Sequence, residues 1–152
     1  MSATRSTQPD PGPRPCPIGD NDNSSFVLYP TKRLVVLTLG SRVTIDGLAQ
    51  YARLLQQNPS FDPAFSEIAD MRAVTEVALG AEEMLKAADH IDPFSPEAKR
   101  AFVVQTPTQA HAARMHKALL SHRNFKVFAS VEEAECWITP EMSPLRPGSK
   151  VL

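Results

Sequence analysis

The sequence predicts an α/β domain. A mixed sheet opens with a hairpin, continues in mainly parallel strands and is covered by helices, in the order β-β-α-β-α-β-α-β-α. Three observations carry this. Short apolar runs alternate with stretches whose apolar residues recur at helical spacing. Two of those stretches begin with capping boxes, Thr106-Pro107-Thr108-Gln109 and Ser130-Val131-Glu132-Glu133. The first two apolar runs are joined by a tight turn alone, so they must be antiparallel, whereas later runs are separated by helices and can return parallel. No internal repeat and no second domain is visible.

The elements follow in order. Residues 1–24 carry Pro at positions 9, 11, 13, 15 and 17 and little that is apolar, so they read as a disordered Pro-rich head that cannot offset its own ordering entropy. "SFVLYP" and "RLVVLTLG" flank Pro30-Thr31-Lys32-Arg33, where Pro at the second turn position presets φ for a hairpin. In "TIDGLAQYARLLQQN", Leu48, Tyr51, Ala52 and Leu55 share one helical face, Thr44 or Asp46 can cap the start, and Asn58-Pro59 ends it. "SFDPAF" is a turn anchored by Phe61 and Phe65. "SEIADM" is a short strand, followed by a polar turn.

"GAEEMLKAADHI" is a helix with Ala81, Met84, Leu85 and Ala88 as its inner face; Glu82 and Glu83 suit its positive end, and His90 its C-terminal end. The prolines of "DPFSPEAKR" break the chain before "RAFVVQ", a buried strand. Pro107 at the first helical position opens a long helix over about 106–121. "NFKVFA" is the last strand, and the Ser130 box opens a short helix ending in Trp137-Ile138. The three prolines after it make 139–152 a flexible tail.

The composition suits one soluble domain: 152 residues, 42% hydrophobic, 22% charged and a formal net charge of -1. No basic excess points to nucleic acid, and no run is long enough to insert in a membrane. A cytoplasmic protein is expected, with Cys16 and Cys136 as reduced thiols. His111, His116 and His122 lie on one predicted helix at spacings of five and six, not the three or four of helical metal pairs. No cofactor or metal site is expected. Cys136 has no local base, the serines lack a G-x-S-x-G context, and Gly40 and Gly47 stand alone rather than in a phosphate loop. An enzyme is therefore not expected.

The candidate site is the end of the "SEIADM" strand. Asp70, Arg72 and Thr75 follow a C-terminal strand end, where open α/β sheets place ligands. Thr106 and Gln109 open the next helix from a neighbouring strand end, and its free N–H groups could hold a polar or anionic group, with Arg114 and His111 nearest along that helix. The same residues also read as ordinary turn and cap formers.

Three local patterns carry a resemblance: "YPTKRLVVLTLGSRVTIDGLAQYARLL", "FDPAFSEIADMRAVTEV" and "KVFASVEEAECWI". They resemble, in order, the hairpin and first helix, the strand with its D-[LM]-R-x-V-T-x-V motif, and the closing strand and helix of STAS-like proteins. Most similar are the SpoIIAA-like (STAS/SEC14-like) bacterial proteins. The likeness covers roughly residues 25–138, which implies a STAS-like domain over that range. STAS antagonists of anti-sigma factors carry a Ser or Thr that a partner kinase phosphorylates, within D-L-x-x-V-x-x-[IM]-D-[ST]-[ST]-G. On this sequence Asp70-Met71 and Val74 match, the second Asp falls on Ala78, and the hydroxyl pair falls on Leu79 and Gly80. The scaffold of the switch is present without its acceptor, and Thr75 sits several residues too early.

The expected function is thus non-enzymatic: a regulatory domain that docks another protein around the loop after "EIADM". The alternative is a SEC14-like binder of a small apolar ligand or lipid, with Met84, Leu85, Ile91 and Phe94 as a lid. A hairpin edge could also pair with its copy in a homodimer.

Overall fold

The computed structural model describes residues 14–19, 23–119 and 124–140. The strands are β1 (Cys16–Pro17), β2 (Ser25–Tyr29), β3 (Leu34–Thr38), β4 (Arg42–Thr44), β5 (Ser66–Asp70), β6 (Glu76–Ala78), β7 (Arg100–Val103) and β8 (Phe125–Phe128). The helices are α1 (Ile45–Gln57), α2 (Ala81–Lys86), α3 (Pro107–Leu119) and α4 (Val131–Ile138); a π-helical turn, Ala87–Ile91, continues α2. Six strands form one sheet in the order β1-β2-β3-β5-β7-β8, and β4 pairs with β6 in a second, two-stranded sheet. β1 and β3 run antiparallel to β2, whereas the β3–β5, β5–β7 and β7–β8 pairs are parallel. This is the predicted mixed sheet.

The hairpin closes through a 3-10 turn, Pro30–Lys32, with Arg33 at φ 51 donating its N–H to the Pro30 carbonyl at 3.1 Å. Pro30 presets the turn; Arg33 takes the left-handed conformation that ends it, an uncommon one for a residue with a Cβ. Strand alternation then sorts the side chains onto two faces. Val35, Leu37, Ala69 and Phe102 pack with Tyr51 and Leu55 of α1 and Ala113 of α3. Leu34, Ile68, Ala101 and Val103 pack with Ala134 and Ile138 of α4. One face of the sheet therefore carries α1 and α3 and the other α4. Each fully buried aliphatic side chain, such as Leu55 or Ile68, contributes about 1.5–3 kcal/mol relative to exposure.

Caps fix where the helices begin. The Thr44 hydroxyl accepts the Gly47 N–H at 3.0 Å, so of the two predicted caps the structure uses Thr44. Gln109 N–H donates to Thr106 Oγ1 at 3.1 Å, and Gln109 Oε1 accepts the Thr106 N–H at 3.3 Å, a complete capping box. Ser130 Oγ accepts the Glu133 N–H at 3.2 Å, and Glu83 Oε1 accepts the Gly80 N–H at 2.9 Å.

Four expectations are corrected. The head is not wholly solvated. Cys16 and Pro17 pair with Phe26 and Ser25, Ile18 is buried, and buried Ser24 accepts the Gly40 N–H at 2.8 Å. An edge strand tolerates Pro17 because one side of its backbone needs no ladder bond, and Ile18 supplies the apolar anchor that composition averaged over residues 1–24 conceals. Residues 1–13 and 20–22 lie outside the described residues. Second, the polar turn after Asp70 contains β6, whose Val77 pairs in register with Val43 of β4; three-residue strands are too short to show alternation.

Third, the inner face of α2 shifts. Met84 and Ala87 are buried, while Ala81 is exposed and Leu85 is 48% exposed. The π turn changes the residues per turn there, so a uniform 3.6-residue count drifts off the buried stripe; the side chain of Ala88 lies outside the described residues. Fourth, the tail starts later than predicted. Thr139 is buried and caps α4, donating its N–H to the Glu135 carbonyl at 2.8 Å. His122 and residues 141–152 lie outside the described residues. Among the described residues no helix is long and apolar enough to cross a membrane.

Candidate functional site

The loop leaving β5 is built by its own side chains. Asp70 Oδ1 accepts the Arg72 N–H at 3.0 Å, an Asx turn, and the Arg72 side chain closes a bidentate pair, Nε to Oδ1 and Nη2 to Oδ2, both at 2.9 Å. Partial burial pushes the Asp70 carboxyl up, but the side-chain and backbone hydrogen bonds from Arg72 outweigh it and hold it below its ordinary value. The same bonds raise the Arg72 guanidinium. Thr75 donates its hydroxyl to the Ser41 carbonyl at 3.2 Å and its N–H to the same oxygen at 2.8 Å, which ties the loop to the turn before β4.

Gln109 locks this loop to α3. Its buried Nε2 donates to the Val74 carbonyl at 2.9 Å and the Arg72 carbonyl at 3.2 Å, while its Oε1 accepts the Gln105 N–H at 2.8 Å as well as that of Thr106. Gln105 Nε2 adds a bond to the Arg72 carbonyl at 3.0 Å. The Thr106 and Gln109 side chains nominated for a polar ligand are thus engaged in capping and loop attachment.

Three of the six predicted site residues meet in space. Thr75, Thr106 and Gln109 line a groove of about 630 Å³ between β6, α2 and the first half of α3. Its wall is mainly apolar, including Val77, Leu79, Met84 and Met115. Asp70 and Arg72 are outside that wall, paired with each other, and Arg114 is exposed on α3 and also outside it. Leu79, at the position where the STAS pattern carries a hydroxyl, is part of the wall.

Beneath α2 lies a second space, whose polar floor sequence reasoning missed. A cavity of about 90 Å³ sits against the sheet; Val77, Leu79, Met84 and Ala112 line both it and the groove. Its floor is an ion network drawn from β5, β7, α1 and the loop that follows the π-helical turn. Glu67 of β5 and Arg100 of β7 are register partners, 2% and 4% exposed. Arg100 Nε and Nη2 reach Glu67 Oε1 at 2.8 and 2.7 Å, Arg100 Nη1 reaches Asp92 Oδ2 at 2.8 Å, and the guanidinium lies over the Phe94 ring, 4.4 Å from its centroid. Tyr51 of α1 donates its hydroxyl to Glu67 Oε2 at 2.6 Å.

Burial lowers the affinity of the Arg100 guanidinium for its proton, but Glu67 and Asp92 more than offset this and the group stays a cation. Burial, and then the adjacent Glu67, push the Tyr51 phenol well above its ordinary value, so it remains an O–H donor. The signal that could have found this network is a charged residue directly beside the apolar core positions of each of two strands, Glu67 in "SEIAD" and Arg100 in "RAFV". Such charges survive burial only when paired.

Among the described residues Cys16 and Cys136 are half-buried and form no disulfide. Among the described residues no group of His, Cys, Asp or Glu is placed to hold a metal ion.

No family model matches the chain, and no curated protein matches it. Among solved structures it is similar to an uncharacterized protein of the DUF3478 family with a SpoIIAA-like fold from Shewanella loihica PV-4. The TM-score is 0.51 at 20% sequence identity, over 69% of this chain and 83% of that one. At that identity the likeness concerns the fold, which is SpoIIAA-like, in agreement with the predicted element order.

Proposed function

We propose that this SpoIIAA-like domain is a non-enzymatic binding module that seats a small, largely apolar ligand between the sheet, α2 and α3. One observation carries the reading. The cavity of about 90 Å³ and the groove of about 630 Å³ share the side chains of Val77, Leu79, Met84 and Ala112, so a modest shift of α2 joins an apolar interior to the surface. Of the predicted lid, Met84 and Ile91 line the cavity, Phe94 is buried beside it under Arg100, and Leu85 points away from it. Leucine at position 79 favours this use of the strand-to-helix junction over phosphoryl acceptance. Native mass spectrometry of protein purified from its host tests the reading. An adduct of a few hundred daltons, lost in Ala112→Trp, supports it; apo mass throughout, with no apolar probe bound, refutes it.

Docking of a partner protein on the same face is a second reading, favoured by Leu85 and Met115, 48% and 41% exposed. Leu85 lines neither space, so Leu85→Lys separates the two. Loss of a co-purifying protein with the small adduct retained identifies the docking role.

A further inference from the structure

β8 ends the six-stranded sheet, and part of its outer edge is open. The Asn124 and Phe128 carbonyls accept the Arg100 and Val104 N–H groups at 2.7 and 2.9 Å, so the even-numbered residues bond toward β7. The backbone groups of a strand alternate between its two sides, and Val127 therefore directs its N–H and C=O away from the sheet. Among the described residues neither group is hydrogen-bonded. Phe125 is buried, Lys126 is exposed, and Val127 and Phe128 are half-buried, so the edge is reachable from Lys126 onward.

The charge beside this edge is of one sign. Lys126 Nζ lies 5.3 Å and Lys99 Nζ 5.5 Å from the centroid of the Trp137 ring, which is half-buried and 5.7 Å from the Phe128 ring. Lys99 also donates to the Trp137 carbonyl at 3.2 Å. Among the described residues neither lysine has a carboxylate partner, and Glu135 of α4 is taken by Lys32 at 2.9 Å.

We propose that this edge takes an extended acidic segment of a partner polypeptide. Its backbone bonds Val127, and the residues on either side of that contact place a carboxylate beside Lys126 and an apolar side chain beside Phe128 and Trp137. Opposite charges facing each other across two strands favour pairing, and like charges oppose it. A second copy of β8, "FKVF", brings a lysine where a carboxylate is wanted, and an edge lysine guards against such self-pairing. The surface lies on the α4 side of the sheet and stands independently of the ligand-binding reading.

Trp137 is the single tryptophan of the chain, so its emission reports on this surface. The full chain is titrated at low salt with three end-blocked peptides, Thr-Phe-Val-Xaa-Val-Thr, in which Xaa is Glu, Gln or Lys. The Glu peptide is expected to bind about fivefold more tightly than the Gln peptide, the upper range for a cross-strand charge pair, and the Lys peptide more weakly than either. Lys126→Glu, an exposed substitution whose fold circular dichroism confirms, is expected to reverse that order. Methylating the peptide nitrogen that faces the Val127 carbonyl should weaken the Glu peptide about tenfold. Amide exchange at Val127 should slow when the Glu peptide binds.

Equal affinity of the three peptides, an unchanged order in Lys126→Glu, or no response at millimolar peptide overturns the assignment. Equal binding of the methylated peptide reduces the surface to a patch for anions and overturns strand addition. Protection of the Val127 amide in the free chain that is lost on dilution gives the edge to a second copy and overturns it as well.

Discussion

Replacing Gln109 tests how the strand-end loop is held. Gln109→Leu keeps much of the side-chain volume and removes four hydrogen bonds. The Arg72 carbonyl keeps its bond from Gln105 Nε2, and the Gln105 and Thr106 N–H groups lie at an edge that water reaches. The Val74 carbonyl is served from within the core, and leaving it unpaired costs about 1–3 kcal/mol. With loss of half of the capping box, the total is about 2–4 kcal/mol, a large part of a domain's stability, and on the order of 10 °C in Tm.

Gln109→Glu separates donor from acceptor. The introduced carboxylate can still accept the N–H groups at the start of α3, but it faces two carbonyl oxygens to which only its protonated form can donate. Its pKa in the folded protein therefore lies above the unfolded value of about 4.3. The folded state then binds the proton more tightly, so the penalty is complete above the folded pKa and disappears below the unfolded one. Urea unfolding of the three proteins between pH 4 and pH 8 checks this. Gln109→Leu should show a nearly constant deficit, and Gln109→Glu a deficit at pH 7 that closes toward pH 4. A cost under about 0.5 kcal/mol for Gln109→Leu, within the range of ordinary surface changes, or a pH-independent Gln109→Glu, would refute the role assigned to the amide nitrogen.

Three further outcomes are expected. Arg100→Met strands two buried carboxylates and should cost about 3–5 kcal/mol at pH 7, easing on acidification as they protonate, read by denaturant titration at two pH values. Thr44→Ala removes the cap on the Gly47 N–H and should cost about 1 kcal/mol in thermal or urea unfolding. The Asp70–Arg72 pair should contribute above the unfolded Asp pKa and be lost as pH falls through the lower folded value. Since Arg72 is 43% exposed, the loss in Arg72→Gln should stay under about 1 kcal/mol, shrink in high salt and vanish once the pH falls below the lowered folded value of Asp70.

How much of the site was legible depended on whether its signals were local. Thr106 and Gln109 stand three apart, so their capping box showed in the sequence, as did the Asp70 turn with its neighbouring Arg72. Glu67 and Arg100 are thirty-three positions apart and Tyr51 is sixteen from Glu67, so each looked like an isolated residue until the parallel register of β5 and β7 placed them side by side. The same limit hid β4 and β6, which are strands only because they have each other.

The sequence by itself determined the class of fold, the hairpin, the helix starts and the absence of a hydroxyl at Leu79 and Gly80. These depend on alternation, caps and turn residues that act over a few positions. Tertiary structure decided that Ile18 belongs to the core, that α2 turns Met84 rather than Leu85 inward, and that four distant polar side chains meet beneath it. Those outcomes rest on which elements pack together, and a buried charge network exists only once that packing has excluded water.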